Sequence, residues 1–253
     1  MKRKQRLSSI LKYILLSVLL LIIIFFGLFK LFSYESLDSA RSLIHSTKDY
    51  QVHDNKNSIY FSPVPNKTNS MPTIIFYNGA LIEEEAYSPL ASELAKNGFP
   101  VYVIKTLFNF PLLAPDDEII DDLTEEDSII LMGHSLGGVQ ASYIAKELLD
   151  NKNSDSPDLS GLILLASYPA DNTDLTNFNN PVLSITASED DIINAEKYLN
   201  AKQLLPDETV YYTIQGGNHA GFGFYGAQRG DGDATISHDE QLQEIVHLIN
   251  TTW

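Results

Sequence analysis

The sequence predicts an α/β fold: a mostly parallel central sheet with helices on both faces, preceded by one N-terminal transmembrane helix. Three observations predict it. Short apolar, β-branched runs alternate with helical patterns from residue 73 to residue 250. The pentapeptide Gly133-His-Ser-Leu-Gly137 stands between one such run and a helical pattern. A long apolar run lies near the amino terminus.

The N-terminal segment has the pattern of a signal anchor. Residues 1–12 contain five Lys or Arg and no acid, and the almost unbroken apolar run 13–29 follows. A bilayer span takes ~20 apolar residues, and basic residues before it orient the N-terminus to the cytoplasm. We therefore expect a cytoplasmic tail over 1–12 and an uncleaved single-pass anchor over 13–32. The remaining chain would then lie outside the cytoplasm at the cell membrane. The alternative is a cleaved signal peptide, but the run exceeds the ~7–15 apolar residues usual there.

The chain beyond Phe32 is strongly acidic. It contains 11 of the 17 Lys and Arg and all 33 Asp and Glu. Such a surface repels nucleic acid, which excludes nucleic-acid binding as a function class. The chain has no cysteine, so neither a disulfide nor a lipid-anchor cysteine is expected. We expect a stalk or linker over 33–57 and one domain over 58–253, a length sufficient for a packed core.

The elements of this domain follow from periodicity and from turn residues. An edge strand is predicted at 58–61, before Pro63 and Pro65. The further strands are predicted at 73–77, 99–104, 128–132, 162–166, 182–187 and 209–214. Helices are predicted at 86–96, 139–149, 194–204 and 237–250. In a parallel sheet of this kind, functional residues gather at the carboxyl ends of the strands.

Ser135 is the candidate nucleophile. It occupies the central position of a G-x-S-x-G pattern that follows a strand and opens a helix, as a nucleophile elbow requires. The sharp turn would lift its hydroxyl clear of the sheet, and the Leu136 N–H at the helix N-terminus could stabilise an oxyanion. The alternative is an ordinary strand-to-helix turn with Ser135 as the N-cap.

The candidate partners of Ser135 also follow strand ends. Glu189, Asp190 and Asp191 come after strand 182–187, and His219 comes after strand 209–214. A serine hydroxyl needs a near-neutral base, and a buried carboxylate fixes the tautomer of that histidine. The chain order serine, acid, histidine is the order known for a nucleophile elbow. We prefer Asp190 as the acid, and Asp191 and Glu189 remain alternatives.

Several segments together carry a family resemblance: 76–91, 133–138, 166–170, 216–223, 225–228 and 232–237. The chain resembles small single-domain α/β-hydrolase fold proteins, in the branch of dienelactone hydrolase-like and carboxylesterase-like bacterial hydrolases. The resemblance implies Ser135 as nucleophile, Asp190 as acid and His219 as base. It also implies an oxyanion hole formed by the backbone N–H groups of Leu136 and Ala80. Dienelactone hydrolases proper use a cysteine nucleophile, so their substrate does not transfer to this chain.

The predicted function is a membrane-anchored serine hydrolase that cleaves a small-molecule ester. No cofactor, no metal and no protein partner are expected. The aromatic segment Leu107–Leu113 follows a strand at the catalytic edge and is a candidate acyl pocket, with ordinary core as the alternative. The alternative function is a catalytically silent protein of the same fold that binds a ligand or a partner at the cell surface.

Overall fold

A computed structural model of the chain describes residues 2–64, 71–116, 128–151 and 156–253. It contains two compact units, Met1–Ser33 and Tyr34–Trp253. Helix α1 (Lys2–Phe32) forms the first unit. Among the described residues, no helix combines the length and the apolarity that crossing a membrane demands. The predicted anchor over 13–32 is therefore unconfirmed.

The second unit is built on one sheet, for which the described residues supply eight strands in the order β1-β2-β4-β3-β5-β6-β7-β8. The strands are β1 (Tyr50–Asp54), β2 (Ser58–Pro63), β3 (Thr73–Tyr77), β4 (Val101–Ile104), β5 (Ser128–His134), β6 (Asp158–Leu165), β7 (Val182–Ala187) and β8 (Val210–Ile214). β2 is antiparallel to β1 and to β4, and all other neighbours are parallel. The mostly parallel sheet is confirmed.

Helices cover both faces of this sheet. The helices that the described residues form in this unit are α2 (Asp38–Arg41), α3 (Ser88–Lys96), α4 (Leu136–Asp150), α5 (Ala195–Ala201) and α6 (His238–Thr252), of which α3, α4 and α6 pack on the sheet. Alternate residues of the central strands point to opposite faces. Ile74 and Phe76 of β3 join the apolar cluster that contains α3 and α6. Ile75 and Tyr77 join the cluster that contains α4. The predicted covering of both faces is therefore confirmed.

The structure differs from the predicted linker over 33–57. This segment contains α2 and β1, with Ala40 and Tyr50 almost fully buried. β1 pairs with β2 along its whole length, from Tyr50 opposite Pro63 to Asp54 opposite Ile59. The sequence Tyr-Gln-Val-His-Asp lacks a continuous apolar run because only one face of this edge strand is covered. A sequence pattern of that kind is easily read as linker.

The Trp253 side chain packs against the sheet at the amino end of β6. A Cβ atom at Gly161 would lie 2.2 Å from Cζ2 of Trp253, so only glycine leaves room for the indole ring. The Trp253 Nε1–H donates a hydrogen bond to the Ser160 carbonyl over 3.2 Å. This contact fixes the end of α6 near the amino end of β6. The carboxyl ends of the parallel strands lie at the opposite edge of the sheet.

Candidate active site

Ser135 lies in a strained turn between β5 and α4. Its backbone has φ 53° and ψ −122°, a conformation that costs a non-glycine residue energy. The neighbouring glycines leave no room for side chains. A Cβ at Gly133 would stand 2.2 Å from the Gly137 carbonyl, and one at Gly137 would stand 2.2 Å from the Tyr77 carbonyl oxygen. The turn therefore presents Ser135 at the start of α4, as the sequence pattern predicts.

The end of β6 supports this turn. The Ser135 N–H donates to the Leu165 carbonyl over 2.9 Å. The buried Ser167 Oγ donates to the Ser135 carbonyl over 2.6 Å. Between these two contacts, Ala166 itself has a positive φ of 45°. Sequence reasoning missed the role of Ser167, because a serine after a strand carries no signal of the residue that it will contact.

Asp190 is the acid that the structure pairs with His219. Its Oδ2 atom lies 2.8 Å from His219 Nδ1, and the two side chains are 0% and 2% exposed. The other oxygen, Oδ1, accepts the backbone N–H groups of Ile192 and Ile193, each over 2.9 Å. These bonds fix the carboxylate, so its orientation toward the imidazole is determined by the chain after β7.

The two alternative acids lie elsewhere. Asp191 is exposed. Glu189 accepts a hydrogen bond from Ser188 Oγ over 2.8 Å. Neither carboxylate has a hydrogen bond or ion pair with His219 among the described residues.

A carboxylate that sequence reasoning did not single out for this role orders the loop of His219. Asp231 accepts the backbone N–H groups of His219 over 3.3 Å and of Ala220 over 2.8 Å. Gly216 starts the loop with φ 77°. Gly216 was predictable as a turn residue. Asp231 was not, because the N–H groups that donate to it come within reach only in the folded loop.

Ser135 and His219 open onto one cavity of about 240 Å³. Its further lining residues are Leu136, Val139, Ala166, Ser167, Tyr168, Ile192, Ile193 and Asn194. The segment Leu107–Leu113, predicted as a possible acyl pocket, contributes no residue to this lining. Leu107 and Leu113 are instead 60% and 50% exposed. The apolar wall therefore comes from α4 and from the loops that follow β6 and β7.

The loop after β3 lies against the nucleophile turn, because Tyr77 pairs in register with Gly133. Asn78 fixes this loop: its Nδ2 donates to the Ile82 carbonyl over 2.7 Å, and its Oδ1 accepts from Thr106 Oγ1 over 3.1 Å.

Two backbone amides lie at this junction: the Leu136 N–H in the nucleophile turn and the Ala80 N–H in the loop after β3. Within the described residues, no protein group accepts a hydrogen bond from the Ala80 or the Leu136 amide. Both N–H groups are thus available to a ligand.

A second buried histidine adjoins this arrangement. His134 is 0% exposed, and its ring centroid lies 4.6 Å from that of His219. Burial holds the pKa of His134 well below its usual value, and the nearby His219 lowers this pKa further. The ring is therefore neutral at physiological pH. Its Nδ1 atom lies 2.9 Å from the Tyr87 hydroxyl.

Comparison with known proteins bears on this geometry. The sequence profile described as the alpha/beta hydrolase family matches residues 73–243. The chain belongs to the alpha/beta hydrolase family. A comparison with curated proteins finds no match.

Solved structures share the fold of this alpha/beta hydrolase at low sequence identity. A bacterial heroin esterase superimposes with a TM-score of 0.57 at 13% identity, covering 84% of this chain and 87% of that chain. An alpha/beta hydrolase enzyme from the metagenome of Lake Arreo, Spain, LAE6, gives a TM-score of 0.56 at 14% identity, covering 84% and 86%. At this identity the likeness concerns the fold.

Glu84 should make the free energy of unfolding of this hydrolase depend on pH. Burial raises the pKa of its carboxyl from 4.5 to about 7. Because the folded state holds this proton more tightly than the unfolded state, Glu84 costs stability above pH 7, and the cost vanishes below about pH 4.5. Glu84→Gln should therefore raise the unfolding free energy at pH 8 by about 1–3 kcal/mol, with a smaller gain at pH 5.

Chemical denaturation of both proteins at the two pH values measures this difference. Glu85→Gln, a neighbouring change of the same chemistry, is the matched control. An equal gain at pH 8 and pH 5 would contradict the assignment of a raised pKa to Glu84.

Proposed function

We propose that this protein is a serine hydrolase that cleaves carboxylic esters through a covalent acyl-enzyme intermediate. One observation carries the proposal: the imidazole of His219, paired with the buried Asp190, borders the same cavity as the strained Ser135. Nucleophile, base and orienting acid are the groups that acyl transfer to serine requires. The proposal is supported further by the two free amides beside this turn.

In the first half-reaction, Ser135 Oγ attacks the ester carbonyl carbon while His219 takes the hydroxyl proton at Nε2. The Nδ1–H of His219 meanwhile donates to Asp190, which stabilises the imidazolium. The negative charge that develops on the carbonyl oxygen accepts hydrogen bonds from the Leu136 and Ala80 amides. Such a donor contributes ~3–4 kcal/mol to the barrier reduction when its removal is measured. His219 then protonates the leaving alkoxide, and the alcohol departs.

In the second half-reaction, His219 takes a proton from a water molecule whose oxygen attacks the acyl-serine carbonyl. Collapse of the tetrahedral intermediate breaks the bond to Ser135 Oγ, which recovers its proton from His219. The carboxylic acid leaves. Every proton is transferred through His219, so the scheme requires neither a metal nor an organic cofactor.

The cavity supports a preference for short acyl groups. Its volume is about 240 Å³, and its walls include Leu136, Val139, Ile192 and Ile193. A cavity of this size lies below the ~300–1,000 Å³ of sites that enclose drug-sized ligands. Small-molecule esters with a short acyl chain fit these apolar walls better than long-chain esters.

The function is tested by fluorophosphonate labelling of the full-length protein, followed by peptide mapping of the modified serine. We expect a single label on Ser135 and turnover of p-nitrophenyl esters that declines as the acyl chain lengthens. A folded protein that neither labels nor hydrolyses any ester in the series would contradict the proposal. That result would favour a silent binding protein of the same fold.

The cellular location is a separate proposal, which rests on the sequence. We propose that residues 13–32 anchor the protein in the cell membrane, with residues 1–12 in the cytoplasm and the hydrolase domain outside. The support is the apolar run and the basic residues before it. Extraction of isolated membranes at alkaline pH should leave the protein in the pellet. A variant that lacks residues 1–32 should appear in the soluble fraction, and release of the full chain would contradict the anchor.

A further inference from the structure

We infer that Tyr87 is a positioning residue that connects the oxyanion loop to the nucleophile turn through its hydroxyl group. This inference rests on the proposed hydrolase function. Tyr87 ends the 3-10 helix Glu84–Tyr87 and is 1% exposed. The proposed mechanism assigns it no step, and no local sequence pattern marks it.

The hydroxyl of Tyr87 makes two hydrogen bonds. It accepts the Gly79 N–H over 2.9 Å and lies 2.9 Å from His134 Nδ1. The hydroxyl has one proton and two acceptor positions, so it can accept the Gly79 N–H and pair with His134 Nδ1 at the same time. Gly79 directly precedes Ala80, and His134 directly precedes Ser135. One hydroxyl group thus holds the residue before each proposed functional group.

Close packing leaves this connection little freedom. A Cβ at Gly79 would stand 3.0 Å from His134 Nδ1 and 3.1 Å from the Tyr87 hydroxyl oxygen. The Tyr87 ring is held against Phe76 of β3 with the centroids 4.6 Å apart. With the ring fixed by the sheet, the hydroxyl defines the separation between the loop and the turn.

Removal of the hydroxyl should disturb this separation more than it disturbs the fold. Tyr87→Phe leaves the Gly79 N–H and His134 Nδ1 buried without a partner, and the loop can then shift to find one. A shift of the Ala80 amide weakens the stabilisation of the oxyanion, which forms only after the ester has bound. The loss should therefore fall on kcat and spare KM.

The experiment compares the full-length parent with Tyr87→Phe and with Tyr50→Phe. Tyr50 is a matched control: it is 2% exposed and donates a hydrogen bond from its hydroxyl to the Leu43 carbonyl, outside the site. We expect Tyr87→Phe to lower kcat for a short p-nitrophenyl ester by about 10–100-fold, with KM within about twofold. Tyr50→Phe should keep the kcat of the parent, even if its melting temperature falls by as much as that of Tyr87→Phe.

A double-mutant cycle with His134→Leu tests the connection itself. Since both changes break the same link, the double variant should lose no more kcat than the more impaired single variant. Independent, multiplying losses would overturn the inference. If Tyr87→Phe does not fold, His134→Gln removes the imidazole and leaves the Tyr87 hydroxyl in place, and the same split between kcat and KM is expected.

The outcomes separate this inference from the function on which it rests. An active, labelled parent whose Tyr87→Phe variant matches it in kcat overturns the positioning role and leaves the hydrolase intact. An inactive, folded parent overturns both. A kcat loss in Tyr87→Phe that Tyr50→Phe does not share, with labelling of Ser135 retained at a reduced rate, supports the inference.

Discussion

Ser135→Ala is expected to lower kcat for ester hydrolysis by about 10⁴–10⁶-fold and to abolish fluorophosphonate labelling. The substitution removes the oxygen that forms the acyl-enzyme, while the Asp190–His219 pair and the free amides remain. The remaining activity is the slower, direct attack of water on an ester bound in the cavity. Steady-state kinetics on a short p-nitrophenyl ester, with labelling as the second readout, measures the loss.

Ser135→Gly is the informative companion of this variant. It removes the same oxygen and also relieves the strain of φ 53° and ψ −122°, which glycine adopts without penalty. We expect Ser135→Gly to be equally inactive and more stable than Ser135→Ala by about 1–2 kcal/mol in chemical denaturation. Retained turnover in both variants would show that another group is the nucleophile. Equal stability of the two would show that the turn stores no strain.

Asp190→Asn should produce the second largest loss, about 10⁴-fold in kcat, with the fold preserved. The asparagine amide can still accept the Ile192 and Ile193 N–H groups through its oxygen. Its NH₂ group then faces His219 Nδ1 and favours the tautomer that carries the proton on Nε2. That tautomer cannot take the proton of Ser135, so the base is lost although the imidazole stays in place.

Asp191→Asn provides a control one residue away. The charge change is identical, but Asp191 is exposed and has no hydrogen bond or ion pair with His219 among the described residues. Its kcat should stay within about twofold of the parent. A larger loss in Asp191→Asn than in Asp190→Asn would transfer the role of the acid to Asp191.

The sequence predicted the fold best where burial on both faces favours a run of mostly apolar and β-branched residues. Residues 73–77 and 182–187 were predicted as strands with the bounds that the structure gives them. β1 was missed because its composition reflects an edge position with one covered face. Its pairing with β2 depends on the whole sheet being present, and no window of five residues contains that information.

In the candidate site, too, the predictable residues are those that a local sequence pattern marks. Ser135 and His219 were predictable because a glycine pattern and a strand end mark each of them locally. Asp190 could be preferred over its neighbours, but only the folded chain shows its 2.8 Å contact with His219. The contact between Tyr87 and His134 joins residues 47 positions apart and has no local signal. Supporting residues of this kind are selected by the tertiary structure, which a pattern of neighbouring residues does not encode.

The position of Trp253 has a practical consequence for these measurements. It is the only tryptophan in the chain, and it is packed over Gly161 at the amino end of β6. The cavity where an ester would bind lies at the carboxyl ends of the strands, at the other end of β6 from Trp253. The intrinsic fluorescence of Trp253 therefore reports the docking of α6 on the sheet. A red shift of its emission will follow unfolding, while occupancy of the cavity will leave the spectrum unchanged. One optical signal can thus separate loss of fold from loss of chemistry in each variant.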